Sequence, residues 1–307
     1  MNNGKVRSKH KLKAQLSLHS MMIPAVIFAV IFFLLPLVGL VMAFEKYNAT
    51  LGFFKSPFIG FRNFKKLFNR ADFFDAIENT VVIAVAKIIA VTILSIVVAL
   101  LINEIQSPKL KKIIQTTIFL PYFLSWALLG GVFVDMFSKT GTINYYLNFI
   151  GIEGEYWITS NKWFRLIIIS TDVWKTLGYQ VVVFLAAITL INSNLYEAAE
   201  IDGAGHLQKC RYITLPGIKP MIVLMCILNI GNIMNAGFEQ ILVMYNPSVY
   251  ETGDILDTMS YRIGLLGGTS DSLSLGTAIG LFKSVISCIC FIIAYRIAFK
   301  VSDYKLF

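Results

Sequence analysis

Five ionisable side chains fall inside long apolar runs of this sequence: Lys87, Asp172, Lys175, Glu239 and Lys283. A charge at the centre of a bilayer costs about 3 kcal/mol on insertion scales, so such groups turn towards a bundle interior or a wet cavity. Within the run 220–245, Asn232, Asn235 and Glu239 recur at offsets of three and four. On a continuous helix that spacing confines them to roughly 60° of arc. Two readings fit the stripe: the wall of a polar cavity, or amides that hydrogen-bond neighbouring helices. Asp172 and Lys175 are one helical turn apart and either neutralise each other or meet a cargo. Lys87 and Lys283 either snorkel or pair across helices.

Groups for covalent chemistry are not assembled in the same way. The sequence contains no Gly-x-x-x-x-Gly-Lys-Ser/Thr phosphate loop and no His-Glu-x-x-His, and His10, His19 and His206 are far apart. Cys226, Cys288 and Cys290 lie in apolar runs and read as small hydrophobes, with Cys210 the fourth cysteine. Cys288 and Cys290 are two apart, so on a helix they point roughly 200° away from each other and share neither a metal nor a bridge. The expected activity is therefore binding and movement, with no bond made or broken by this chain.

The elements that hold these groups are set by composition. Of 307 residues, 56% are hydrophobic and only 15% charged, where a soluble domain carries about 25% charged residues. A water-soluble enzyme is excluded, and an integral membrane protein is expected. The excess of 27 Lys and Arg over 18 Asp and Glu would suggest nucleic acid in a soluble protein. Here it reads as basic loops that meet anionic headgroups and set orientation, with no nucleic-acid partner.

Six apolar runs, at 21–44, 79–103, 113–134, 166–191, 220–245 and 274–296, are each long enough for a hydrocarbon core of about 30 Å, which takes roughly 20 residues. The first run is too long for a secretory signal core of roughly 7–15 residues and has no small-residue cleavage site. All-α architecture with six transmembrane helices follows. Lys and Arg are more numerous in the tail and in the segments carrying Lys109, Lys111, Lys112, Lys209, Arg211, Lys219, Lys300 and Lys305 than in the alternate segments. That bias places both termini in the cytoplasm. The basic connector 45–78 runs against it, but Phe61, Phe64, Leu67, Phe68 and Ala71 at helical spacing, flanked by Arg62, Lys65, Lys66 and Arg70, describe a helix lying in the membrane interface. Tyr145, Tyr146, Trp157 and Trp163 read as interfacial belt residues.

The connector after the fourth run is the most informative segment. Glu197-Ala198-Ala199 is followed after three residues by Gly203, and after nine more by Ile213-x-Leu215-Pro216. Alanines allow a second surface to approach closely, glycine permits a sharp turn, and a proline is tolerated in the first turn of the helix that follows. This full spacing resembles the EAA loop of the membrane-spanning permease subunits of bacterial ABC importers. Gly60-Phe61-Arg62-Asn63-Phe64, Trp174-Lys175 with Gly178, and Leu185-Ala186-Ala187 are similar to carbohydrate-type permeases. Asn246-Pro247-Ser248-Val249-Tyr250, Asp254-Ile255-Leu256-Asp257-Thr258, Tyr261-Arg262-Ile263-Gly264-Leu265 and Gly280-Leu281-Phe282-Lys283-Ser284 resemble the subgroup associated with lipoproteins, polysaccharides and oligosaccharides within the binding-protein-dependent transport inner-membrane family.

The resemblance implies a type I importer permease fold and a single membrane domain over 1–307. A basic tail (1–20) precedes the first helix (21–44), an extracytoplasmic connector (45–78) and a five-helix core (79–301) containing the coupling loop at 195–216. It implies that Glu197, Ala198, Ala199, Asp202, Gly203 and Ala204 form a docking surface for a cytoplasmic ATPase subunit, with Ile213, Leu215 and Pro216 anchoring its return. ATP and Mg would belong to two such ATPase subunits, with no cofactor in this chain. A second, distinct permease and an extracytoplasmic solute-binding protein would complete an importer of saccharides in the bacterial cytoplasmic membrane. For sugar hydroxyls and apolar faces, Asn232, Asn235, Glu239, Asp172, Lys175, Trp174 and Tyr179 are the candidate path residues. A peptide, a lipid-linked molecule or another polar nutrient is the alternative cargo; a self-contained secondary transporter or a non-transporting scaffold is the alternative class.

Overall fold

A computed structural model describes residues 19–53, 55–231, 233–269 and 271–302. In chain order the main helices are α1 (His19–Phe44), α2 (Arg62–Phe68), α3 (Ala71–Asn103), α4 (Pro108–Phe123), α5 (Trp126–Met136), α6 (Thr142–Phe149), α7 (Asn161–Thr189), α8 (Ser193–Ile201), α9 (His206–Gly231), α10 (Phe238–Met244), α11 (Leu256–Gly264) and α12 (Ser272–Ser302). Five of them, α1, α3, α7, α9 and α12, are long and apolar enough to cross a membrane; α4 and α5, bent by 97° at their junction, supply a sixth if taken as one broken span. Among the described residues there is no β-strand, and one isolated antiparallel bridge, Glu45 to Phe58, closes the loop behind α1.

The spine of the bundle is α3 against α7. Phe73, Ala76, Thr80, Ile83, Lys87, Val91, Ser95, Ala99 and Ile102 are buried along α3 at steps of three and four, which line one helical face. At 33 residues, or about 50 Å at 1.5 Å per residue, α3 is longer than the hydrocarbon core and reaches both ends of the bundle. Its first part packs Phe73 and Ala76 with Leu256, Met259, Ala278 and Ile279. Its middle joins Trp126, Phe164, Ile168, Ile241 and Met244, and its last turns join Val181, Phe184, Ile188, Ile218 and Met225.

Gly178 sets the contact between α7 and the broken span, because a Cβ there would overlap the Ile118 carbonyl and the backbone of Phe119. At the far end of α3, Asn79 donates its amide to the carbonyls of Glu251 and Asp254. Arg165 of α7 donates to Asn79 Oδ1 and to the Thr252 carbonyl at 2.6 and 3.1 Å. These bonds lash the 246–255 connector to both spine helices. Burial pushes the Asp254 carboxyl above its usual range, against the opposing pull of Thr258 and Arg262.

One helix gains an unexpected anchor and one expectation changes. The helix α2 buries Leu67 and leaves Phe61 73% exposed; its other buried side chain is Asn63, which donates to the carbonyls of Ala43 and Glu45 at 2.9 and 3.0 Å. A polar residue is buried there because the last turn of α1 leaves carbonyls without helical partners. The fifth run, 220–245, is two helices with a gap, since α9 stops at Gly231 and α10 begins at Phe238.

Replacing Gly178 with valine forces α7 away from the α4 backbone. A loss of about 2 kcal/mol or more is expected, seen as a lower thermal midpoint of the purified protein in detergent; an unchanged midpoint would contradict this packing.

Candidate functional site

The connector from α8 to α9 is a helical hairpin braced at every joint. Asn192 caps α8 by accepting the Asn194 N–H at 3.0 Å. The helix ends in a Schellman turn: Gly203 N–H donates to the Glu200 carbonyl and Ala204 N–H to that of Ala199, at 3.0 and 2.8 Å. This closure needs a left-handed residue, and Gly203 has φ of 77°. The Gly205 N–H then bonds Gln208 Oε1 at the start of α9. Lys209 Nζ reaches Glu200 Oε1 at 2.7 Å and holds that carboxyl below the usual carboxylate range, so this link is present above that range and is lost as pH falls through the lowered value. Tyr196 and Thr214 share a 2.9 Å hydrogen bond, and His206 Nδ1 lies 2.6 Å from Glu104 Oε2 at the end of α3.

The predicted residues divide by exposure. Glu197, Ala198, Asp202 and Gly203 are exposed, Ala199, Ala204, Ile213 and Leu215 are half-buried, and Pro216 is exposed. The most exposed large apolar side chains on the hairpin are ones that sequence reasoning did not select: Ile201 and Leu207 are each 87% exposed and Tyr212 70%. Their signal was apolar character at the polar turn, between charged neighbours. The helical run is continuous from His206, and Pro216 stands, as expected, in the first turn of its α-helical stretch Leu215–Gly231. A π turn over Cys210–Thr214 precedes it, with the Leu215 N–H bonded to the Cys210 carbonyl five residues back, and this widened turn accommodates a residue with no N–H of its own.

Inside the bundle, the stripe expected on one helix face is not one face. Asn232 lies outside the described residues, while Asn235 and Glu239 are exposed on either side of the start of α10. The helix is interrupted because 231–237 is rich in Gly and Asn, poor helix formers, and Gly237 takes φ of 100°. Asn235 lines two clefts. The larger, about 660 Å³, includes Phe238, Asp257, Ser260, Tyr261 and Lys283; the smaller, about 180 Å³, includes Lys87, Asp172, Thr176, Gln180 and Asn229. Gln180 Oε1 and Asn229 Nδ2 are buried and find no hydrogen-bond partner among the described residues. Asp172, Thr176 and Gln180 are four apart and share a face of α7, a signal present in the sequence but not used.

The ion pairs also differ from expectation. Asp172 Oδ1 lies 3.5 Å from Lys87 Nζ, not against Lys175, because the buried ammonium of Lys87 projects into the smaller cleft where Asp172 also lies. Lys175 Nζ instead donates to the Tyr122 carbonyl at 3.0 Å and stands over the rings of Tyr122 and Trp126. Lys283 pairs across helices with both oxygens of Asp257 at 2.6 Å. Tyr179 stacks on Tyr122 with ring centroids 5.0 Å apart, and Trp174 meets Phe133 edge-on. Tyr122 is the aromatic that sequence reasoning missed; it follows Leu120-Pro121 at the bend of the broken span.

A bent span, an interrupted span and a braced hairpin at one end of α3 mark this bundle, and its similarity to known proteins gives its lineage. The family model of the binding-protein-dependent transport system inner membrane component matches residues 91–303. The chain belongs to this family. Members of the family are inner-membrane components, in keeping with a multi-pass membrane protein. The chain is 36% identical to the polygalacturonan/rhamnogalacturonan transport system permease protein YteP of Bacillus subtilis (strain 168), over 95% of this chain and 91% of that one. It superposes with a TM-score of 0.88 and 36% identity on a chain of a bacterial ABC transporter involved in the import of the acidic polysaccharide alginate, covering 96% of this chain and 99% of that one. A second structure, the alginate transporter in complex with an alginate pentasaccharide-bound periplasmic protein, gives 0.88 and 35% over 97% and 99%.

Lys175→Met keeps the length of the side chain and removes the donor to the Tyr122 carbonyl. Losing a hydrogen bond from a charged donor in this part-buried setting costs about 1.5–3 kcal/mol, so this variant is expected to unfold at lower temperature than Lys175→Arg, which retains a donor. Equal losses in the two variants would show that chain length, and not the hydrogen bond, matters at this position.

Proposed function

We propose that this chain is one of two permease subunits of an ATP-driven importer that moves a saccharide across the bacterial cytoplasmic membrane by alternating access. The observation that carries the reading is the hairpin of α8 and α9, a rigid knob whose outer surface exposes Ile201, Leu207 and Ala198 and whose base is fastened to α3 by His206 and Glu104. Exposed apolar side chains at a charged end mark a surface awaiting a partner. That partner is an ATPase subunit, which holds ATP and Mg, while this chain does no hydrolysis itself.

The whole chain acts as one membrane domain, with the hairpin and both termini on the cytoplasmic side, where Lys109, Lys111, Lys112, Lys209 and Arg211 gather. Two ATPase subunits and a related but distinct second permease complete the translocation unit, and an extracytoplasmic solute-binding protein delivers the cargo. The names of YteP and of the alginate transporter support a saccharide. So does the path: amides from Asn235, Gln180 and Asn229 suit hydroxyls, and the stacked Tyr122 and Tyr179 offer a flat face to a sugar ring. Trp174, Glu239 and Asn232 remain path candidates, while Lys175 works at the bend of the broken span. Closure of the ATPase pair pushes the knob, and the Tyr196–Thr214 and His206–Glu104 bonds carry the displacement into α9 and α3.

Gly203→Asp tests the knob. A Cβ at this position meets no neighbour, so the cost is the left-handed backbone alone, about 1–2 kcal/mol, and the protein is expected to reach the membrane. ATP-driven saccharide uptake should fall about tenfold or more, within the range of a lost coupling free energy. Wild-type uptake at normal expression would contradict the docking role.

A further inference from the structure

The interruption between α9 and α10 is held by a side chain of α3. Lys87 Nζ donates to the Ala236 carbonyl at 2.8 Å and to Gln240 Oε1 at 2.5 Å, with Asp172 Oδ1 at 3.5 Å. The same Gln240 turns its amide to the Ile168 carbonyl and to Thr171 Oγ1 of α7, at 2.8 and 2.9 Å. Lys87 and Gln240 are 6% and 0% exposed. One ammonium therefore joins α3, α7 and the unwound stretch 233–237 through a closed set of hydrogen bonds. The fit is close: a Cβ on Gly237 would lie 2.7 Å from Lys87 Nζ, and the left-handed φ of 100° itself favours glycine there.

The stretch so held does not continue a helix, and its outward residue is Asn235, exposed and shared by both clefts. A helix interrupted at a cavity frees backbone groups as well as side chains to meet a polar ligand. Without the lysine, the Ala236 carbonyl loses a donor and Gln240 Oε1 loses its charge-assisted partner, so the stretch keeps the apolar anchors Met234 and Ala236 but loses the polar bonds that set its unwound form.

We propose that Lys87 is a positioning residue for transport: by fixing 233–237 it presents Asn235, and the free backbone beside it, to the hydroxyls of a passing saccharide. This rests on the saccharide-importer reading above. Lys87 does not touch the cargo. It acts through Asn235, so the two residues are coupled in their effect on apparent affinity, and a substitution at either one removes the benefit of the other.

The test is a double-mutant cycle in the assembled transporter, reconstituted in vesicles with its partner subunits and binding protein, using a labelled galacturonan pentasaccharide as the probe. Uptake by the wild type establishes the cargo reading independently; if the wild type takes up no saccharide, the importer reading fails and takes the present inference with it. Given uptake, Lys87→Met and Asn235→Ala are each expected to raise KM about tenfold, the scale of one lost hydrogen bond. The double variant should be no worse than the poorer single one, whereas independent sites would multiply the two effects. Multiplied effects, or a Lys87→Met variant with unchanged KM, would overturn the proposal and leave the importer reading intact. If Lys87→Met does not assemble, Gln240→Leu, which removes the other half of the clamp, takes its place in the same cycle with the same two outcomes.

Discussion

In an apolar medium every backbone carbonyl must find its donor within the protein, and this constraint governs where charge appears in the present chain. Continuous helices satisfy it for themselves. The two interrupted spans do not, and at each a lysine from a neighbouring helix completes the set: Lys175 of α7 at the Tyr122 carbonyl and Lys87 of α3 at the Ala236 carbonyl. At the start of α5, Ser125 caps the Leu128 N–H, so both sides of the bend are served. The buried cations are thus tied to the breaks, and two clefts open at the break between α9 and α10.

The rest of the architecture connects these clefts to the ends of the bundle. The long α3 carries one end of the chain of contacts at Glu104, beside the hairpin, and the other at Asn79, beneath the 246–255 connector. Between them it holds Lys87. Under the proposed mechanism, a displacement of the hairpin would be applied to the same helix that pins the unwound stretch, and the close Gly178 contact would pass it from α7 to the broken span. In the proposed mechanism the hydrogen-bonded joints of the hairpin and the discontinuities within the spans are complementary: the first would transmit movement, and the second would give it somewhere to act.

Much of this was legible in the sequence. The apolar runs located the spans, and the full Glu197 to Pro216 spacing picked out the hairpin and its turning glycine. Cross-helix pairing was among the readings for Lys87 and Lys283, and both lysines form such pairs. What stayed hidden has a common physical origin. Periodicity arguments assume an unbroken helix, so Asn235 and Glu239 were assigned a shared face that the non-helical stretch 233–237 abolishes. Local spacing ranks the neighbour one turn away above partners on other helices, so Asp172 was paired with Lys175 when Lys87 of α3 is its counter-ion. Pro216 does stand in the first turn of the α-helical stretch from Leu215, but the π turn that joins this stretch to His206 is invisible to residue type. The exposed Ile201, Leu207 and Tyr212 were passed over because apolar residues in a membrane protein attract notice only when they are expected to be buried.

The central claim is that the α8–α9 hairpin fastens this chain to an ATPase. The most direct measurement is affinity purification of the tagged chain from gently solubilised native membranes, with identification of the co-purifying proteins and assay of ATP hydrolysis. The account predicts recovery of a phosphate-loop ATPase and a second permease in fixed ratio, with activity in the eluate. A correctly folded chain recovered alone, with no ATP hydrolysis, would contradict it.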